Sequence, residues 1–141
     1  MIDKRAVKFF NKHHVLTVAT TVNGEPWCAN CFYVYLEERN ALVFTTDPGT
    51  RHGKEFRANQ YIAGSVVLET PVIGKIRGIQ FQGIVTEPVG VDLVLVKKAY
   101  LKRFPVAMLM ETHLWLVELT HIKMTDNRLG FGKKIIWTKG T

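Results

Sequence analysis

Val15-Leu16-Thr17-Val18-Ala19-Thr20-Thr21-Val22-Asn23-Gly24-Glu25-Pro26-Trp27 is the stretch on which the fold turns. Its first eight residues are rich in β-branched types, which fit a pleated, half-buried surface. Asn-Gly is the pair that best accepts the two positive φ angles of a type I′ hairpin turn. The stretch therefore reads as a strand over 15–22, a two-residue turn and a second strand running from Trp27 to about Tyr35. Working outward, Glu37-Glu38-Arg39-Asn40 makes another turn and Ala41 to Thr46 a third strand. Asp47-Pro48-Gly49 breaks that strand, and Thr50 stands where it can cap a helix over Arg51 to Asn59, despite Gly53.

Tyr61 to Leu68 reads as a fourth strand. From Ile76 to Val85, apolar residues alternate with polar ones or glycine, the mark of a half-solvated fifth strand. Leu93, Val96, Tyr100 and Phe104 recur at helical steps, with Lys97, Lys98 and Lys102 on the wetter side and Pro105 ending the helix. Leu114 to Leu119 is a sixth strand, and Ile122 to Thr125 continues it or pairs with it. A loop at Gly130-Phe131-Gly132 and a short strand over Ile135 to Thr138 complete the chain. At the N-terminus, Asp3 caps a helix whose apolar side is Ala6, Val7 and Phe10, ending at Asn11. Six to seven short strands with short helices between them predict an α+β domain built on a small antiparallel barrel.

A chain of 141 residues points to a single domain spanning 1–141. With 47% apolar and 22% charged residues it is neither disordered nor fibrous. No apolar run reaches the roughly 18 residues of a membrane-spanning helix. The N-terminal segment, interrupted by Lys8 and Lys12, does not read as a signal peptide, so the expected compartment is the cytoplasm. A net charge of +7 suits a nucleic-acid binder and equally a pocket for phosphorylated ligands. The basic residues are spread along the chain with acids interleaved, which is also the pattern of a solvated basic surface.

Cys28-Ala29-Asn30-Cys31 has the C-x-x-C spacing of a redox dithiol or half a zinc site, but it falls inside a strand. Side chains three apart on a strand point to opposite faces, so the two thiols are expected to be reduced and apart. Of the five histidines, His13, His14, His113 and His121 read as surface or capping residues, since none forms a helical metal-binding pair. His52 differs, because it follows Arg51 in the first turn of the helix capped by Thr50. Free backbone N–H groups, the positive end of the helix dipole and a cationic side chain converge there, which outlines a phosphate site. Gly130-Phe131-Gly132-Lys133-Lys134 lacks the spacing of a nucleotide P-loop and reads as a turn.

Three strings, Thr21-Val22-Asn23-Gly24-Glu25-Pro26-Trp27, Phe44-Thr45-Thr46-Asp47-Pro48-Gly49-Thr50-Arg51-His52 and Arg77-Gly78-Ile79-Gln80-Phe81-Gln82-Gly83, stand in an order of elements that resembles the pyridoxamine phosphate oxidase-like, flavin-binding split-barrel superfamily. The resemblance covers most of the chain. Trp27-Cys28-Ala29-Asn30, Arg103-Phe104-Pro105-Val106-Ala107 and the segment from Thr125-Asp126-Asn127 to Lys133-Lys134 resemble a small bacterial branch of uncharacterised proteins within it. The resemblance implies an antiparallel split barrel with FMN lying between two protomers. It implies Thr50 and Arg51 for the phosphate, and Phe44 and Thr45 on the strand beside the flavin ring. His52 stands where lysine is usual, exchanging a permanent charge for a titratable one. Ala29 stands where the oxidases carry a further phosphate-binding arginine. Their arginine-rich C-terminal substrate signature is missing, so oxidation of pyridoxamine phosphate itself is not implied.

The leading expectation is a homodimeric, FMN-binding split barrel that passes electrons between a reduced nicotinamide and a small acceptor, with no metal. One alternative is a flavin-free relative using the same cleft for haem or another anionic ligand. A third reading is a basic nucleic-acid-binding barrel presenting Lys97, Lys98, Lys102 and exposed aromatics. Against it, Trp27, Phe32, Phe81 and Trp115 fall in apolar strands and are expected in the core.

Overall fold

Asn23 and Gly24 both take positive φ, 54° and 76°. The tight turn they make joins β1 (Val15–Val22) to β2 (Glu25–Leu36) in continuous register from Val15↔Phe32 to Val22↔Glu25. This computed structural model describes residues 1–130 and 133–141, so Phe131 and Gly132 of the expected glycine loop lie outside the described residues. The far half of β2 pairs with β3 (Ala41–Thr45), while the other edge of β1 pairs with β4 (Tyr61–Val67). β4 continues to β5 (Arg77–Thr86) and β5 to β6 (Leu114–Asp126). β6 then returns to β3, which closes six antiparallel strands into a ring.

β6 has two neighbours along one edge. Its residues 114–118 pair with β3, and 121–125 pair with β7 (Lys134–Thr138). Between the two spans its register against β5 slips, from Gln82↔His121 to Gly83↔Leu119, so Thr120 is the extra residue of a β-bulge. The segments at 114–119 and 122–125 are therefore one bent strand.

Strand alternation sends Leu16, Val18, Tyr33, Leu42, Phe44, Phe81, Trp115 and Val117 into the barrel. Fully burying each large apolar side chain stabilises the fold by about 1.5–3 kcal/mol. α1 (Lys4–Lys12), capped by Asp3 through the Arg5 amide, adds Ala6, Phe9 and Phe10 to this core. α2 (Arg51–Ala58) adds Phe56. α3 (Gly90–Arg103) lies outside the ring and buries Val96 and Tyr100 against Ala41, Val43 and Leu116. β3 is thus covered on both faces.

The structure corrects three placements. Phe81 and Trp115 are buried as expected, but Trp27 is 44% and Phe32 57% exposed. Trp27 lies near the turn end of β2, beyond the closed part of the barrel, and Phe32 is on the strand's outward face. Leu93, first of the helical apolar series, is also exposed, since α3 reaches the barrel only from Val96 onward. The thiols behave as strand geometry requires, with Cys28 outward and exposed, Cys31 inward and buried, and both free.

Candidate functional site

The junction between β3 and α2 is built by local hydrogen bonding. Asp47 Oδ1 accepts from the Gly49 amide at 2.6 Å. The Thr50 hydroxyl donates to the Asp47 carbonyl at 2.7 Å and accepts from the Gly53 amide at 3.1 Å. Gly53 is required here because a Cβ would sit 2.7 Å from the Asp47 carbonyl oxygen and 2.9 Å from Pro48 Cα. With Gly53 bonded to Thr50 Oγ1 and Lys54 to the Thr50 carbonyl, the amides of Arg51 and His52 have no partner among the described residues. They are the open donors of the helix N-terminus.

The side chains divide. His52 Nε2 lies 2.5 Å from Thr46 Oγ1 and 3.4 Å from Thr50 Oγ1, and its ring packs on Phe56. Burial holds the imidazole below its ordinary value, with Glu55 pulling the other way, so the ring is predominantly neutral at pH 7. Burial pushes the nearby Cys31 thiol up to about 11, with Thr46 pulling the other way. Arg51 turns back along α2. Its Nε donates to Glu55 Oε2 at 2.9 Å, Glu25 lies 4.0 Å away, and the guanidinium stacks 4.2 Å over the Trp27 ring. Glu55 is fixed in turn by the buried Thr20 hydroxyl at 2.7 Å.

Thr45 and Phe44 face opposite ways. The Thr45 hydroxyl donates to the His113 carbonyl at 3.1 Å. The Phe44 ring is wholly inside the barrel against Phe56, so it offers no side-chain surface to a ligand.

Next to the junction, Thr45, Asp47 and Pro48 form one wall of an open groove of about 820 Å³. Lys97 and Leu101 of α3, Met108, Met110, Glu111 and His113 are among its other lining residues. His113 was not anticipated by any spacing in the sequence. Its Nε2 lies 2.6 Å from Glu87 Oε2, and Arg57 grips the same carboxylate at 2.7 and 2.9 Å. These contacts, Arg57's first, hold Glu87 down at about 2. An ionised carboxylate only accepts, so Nε2 donates to Glu87, and Nδ1 has no hydrogen-bond partner among the described residues. No short-range signal links positions 57, 87 and 113, which meet only once the barrel has closed.

No family model matches the chain. It is 41% identical over 132 residues to the UPF0306 protein plu4501 of Photorhabdus laumondii, covering 94% of this chain and 92% of that protein. It is 39% identical over 134 residues to the UPF0306 protein YhbP of Escherichia coli, covering 95% and 91%. The chain belongs to the UPF0306 family. Among solved structures, this UPF0306 chain superposes on a heme binding protein from Mycobacterium smegmatis with a TM-score of 0.76 and 19% identity. The match takes in 92% of the UPF0306 chain but only 55% of that larger protein. An FAD binding protein from Mycobacterium smegmatis matches with a TM-score of 0.71 and 16% identity, covering 89% and 95%. At such identities the likeness is one of fold, an α+β antiparallel split barrel with short peripheral helices. No helix of the described residues is long and apolar enough to cross a membrane.

Proposed function

We propose that this UPF0306 protein binds a flavin, FMN, with its phosphate at the N-terminus of α2, in a site completed by a second copy of the chain. The observation that carries this reading is the pair of Arg51 and His52 amides without a partner among the described residues; the half-exposed Arg51 guanidinium, held by Glu55 in this structure, would swing off that carboxylate to reach the phosphate. Such an array suits a phosphate. The residues fit in part. Thr50 shapes the turn, but its proton is already given to the Asp47 carbonyl, so it has none for a phosphate oxygen. Neutral His52 can offer a ring N–H but little charge. Thr45 and the backbone of β3 form the wall beside the ring, and exposed Trp27 is the nearby aromatic surface. A flavin would supply the redox chemistry between a reduced nicotinamide and a small acceptor, while the protein supplies anchoring and orientation. Structural neighbours that bind FAD support the choice of cofactor class.

The second copy is supported by the outward face of β2, β1, β4 and β5. From Phe32 and Val15 across Ala19 and Ala63 to Gln80 and Gln82, that face carries no charged side chain. Light scattering should therefore give a dimer.

One observation favours haem as a second reading: His113, whose Nδ1 has no partner among the described residues, shares the groove with Met108, Met110 and Lys97, a set able to ligate iron and pair with a propionate. The visible spectrum of freshly purified protein separates the two, flavin bands against a Soret band. For the flavin, Arg51→Ala should weaken FMN about ten- to a hundredfold, as expected for lost hydrogen bonds to a charged group of about 1.5–3 kcal/mol. Riboflavin, which lacks the phosphate, should bind the variant and the parent alike. FMN affinity unchanged by Arg51→Ala, or an equal loss for riboflavin in a folded variant, removes the phosphate from this position.

A further inference from the structure

β6 starts beside the groove and ends, at Asp126, at a second and smaller cavity. There α1 presents Arg5, Lys8 and Lys12, spaced three and four residues apart on one face of the helix, toward Arg77 at the start of β5 and Arg128 just past β6. These five cations line a pocket of about 220 Å³, floored by the buried rings and chains of Phe9 and Met124.

The acids nearby are already matched. Buried Asp126 accepts from the Arg128 side chain at 2.9 and 3.1 Å, and Asp3 accepts from the Arg5 side chain at 2.9 and 3.0 Å. Lys8, Lys12 and Arg77 have no carboxylate within ion-pair distance among the described residues. Arg77 also buries its Nε with no hydrogen-bond partner. With its Nε unpaired inside and no carboxylate partner among the described residues, this guanidinium carries an uncompensated charge at the pocket wall, which an anion in the pocket would offset. The concentration of positive charge is felt next door. His13 is held below the ordinary imidazole value first by burial, then by Lys12, Arg77, His14 and Arg103.

We propose that this pocket binds a small, multiply charged phosphate-bearing anion, held by Lys8, Lys12 and Arg77. Its volume is below the roughly 300 Å³ at which pockets begin to enclose drug-sized ligands, so it seats a phosphate or pyrophosphate group with a small organic remainder. The site shares no residue with the α2 N-terminus or the groove and does not depend on the flavin reading.

The test uses inorganic pyrophosphate as the probe, titrated calorimetrically at low ionic strength into the full chain. Lys8→Gln/Lys12→Gln should weaken binding at least tenfold, because both are exposed helix positions whose loss leaves the fold intact. Lys98→Gln/Lys102→Gln, which removes the same charge from the exposed side of α3, should change it less than threefold. FMN titration of the first variant should match the parent, which keeps this site distinct from the flavin's. The proposal is overturned if pyrophosphate does not bind, or if both double variants weaken it equally, which would mean diffuse attraction to a basic surface. It is also overturned if single-stranded oligonucleotides bind with affinity rising with length and pyrophosphate does not displace them.

Discussion

Glu87 is held by two side chains from different elements, with Arg57 on both oxygens and His113 on one. Its carboxyl is held at about 2 against an ordinary 4.5. A carboxyl whose folded value is depressed stabilises the fold fully above its unfolded value and stops doing so as pH falls through the folded one. The melting temperature of the parent should therefore exceed that of Glu87→Gln at neutral pH, and the gap should close between pH 4.5 and 2. A gap independent of pH would show that the ion pair adds nothing to stability. At this scale the sequence is legible only where the physics is local. Asp3 and Thr50 cap helices that begin one residue later, and both do so in the structure. The stacking of Arg51 on Trp27, and the meeting of Glu87 with His113, join residues far apart in the chain, and no periodicity encodes them.

Strands and turns were more readable. The register of β1 on β2 follows from Asn23-Gly24, because a two-residue turn leaves only one way to align its flanks. What alternation could not say is how far along β2 the barrel stays closed, which leaves Trp27 exposed near the turn; Phe32, five residues on, has the opposite parity and points outward. Nor could it reveal the bulge at Thr120, since one extra residue reads as an ordinary break in the pattern. Gly64 carries the sharpest expectation at this level. A Cβ there would lie 2.3 Å from the Thr17 carbonyl oxygen and 2.4 Å from Phe81 Cζ. Gly64→Ala must push β4 off β1 or drive the Phe81 ring out of place, and overpacking of this kind costs about 1–3 kcal/mol. Urea unfolding should show the midpoint lowered accordingly. An unchanged midpoint would mean that the two strands are not held at this separation.

For the molecule as a whole, an α+β antiparallel barrel was legible from the number and type of strands, but its closure was not. Closure depends on β3 finding β6 across some seventy residues, Ala41 against Glu118 and Thr45 against Leu114. Ring closure leaves the strands unequal in their attachments. β3 is hydrogen-bonded along both edges, between β2 and β6, whereas β7, among the described residues, pairs along one edge only, with β6. Opening β3 means opening the ring, while β7 can peel away from the far half of β6 with every ring pairing intact. Amide hydrogen exchange should separate the two. Protons of Leu42 to Phe44 should exchange only through global unfolding, with a strong dependence on denaturant. Those of Ile135 to Trp137 should exchange through a smaller fluctuation that denaturant barely alters. The chain would then fray from its C-terminal strand, shedding it and taking it up again many times for each occasion on which the barrel itself comes apart.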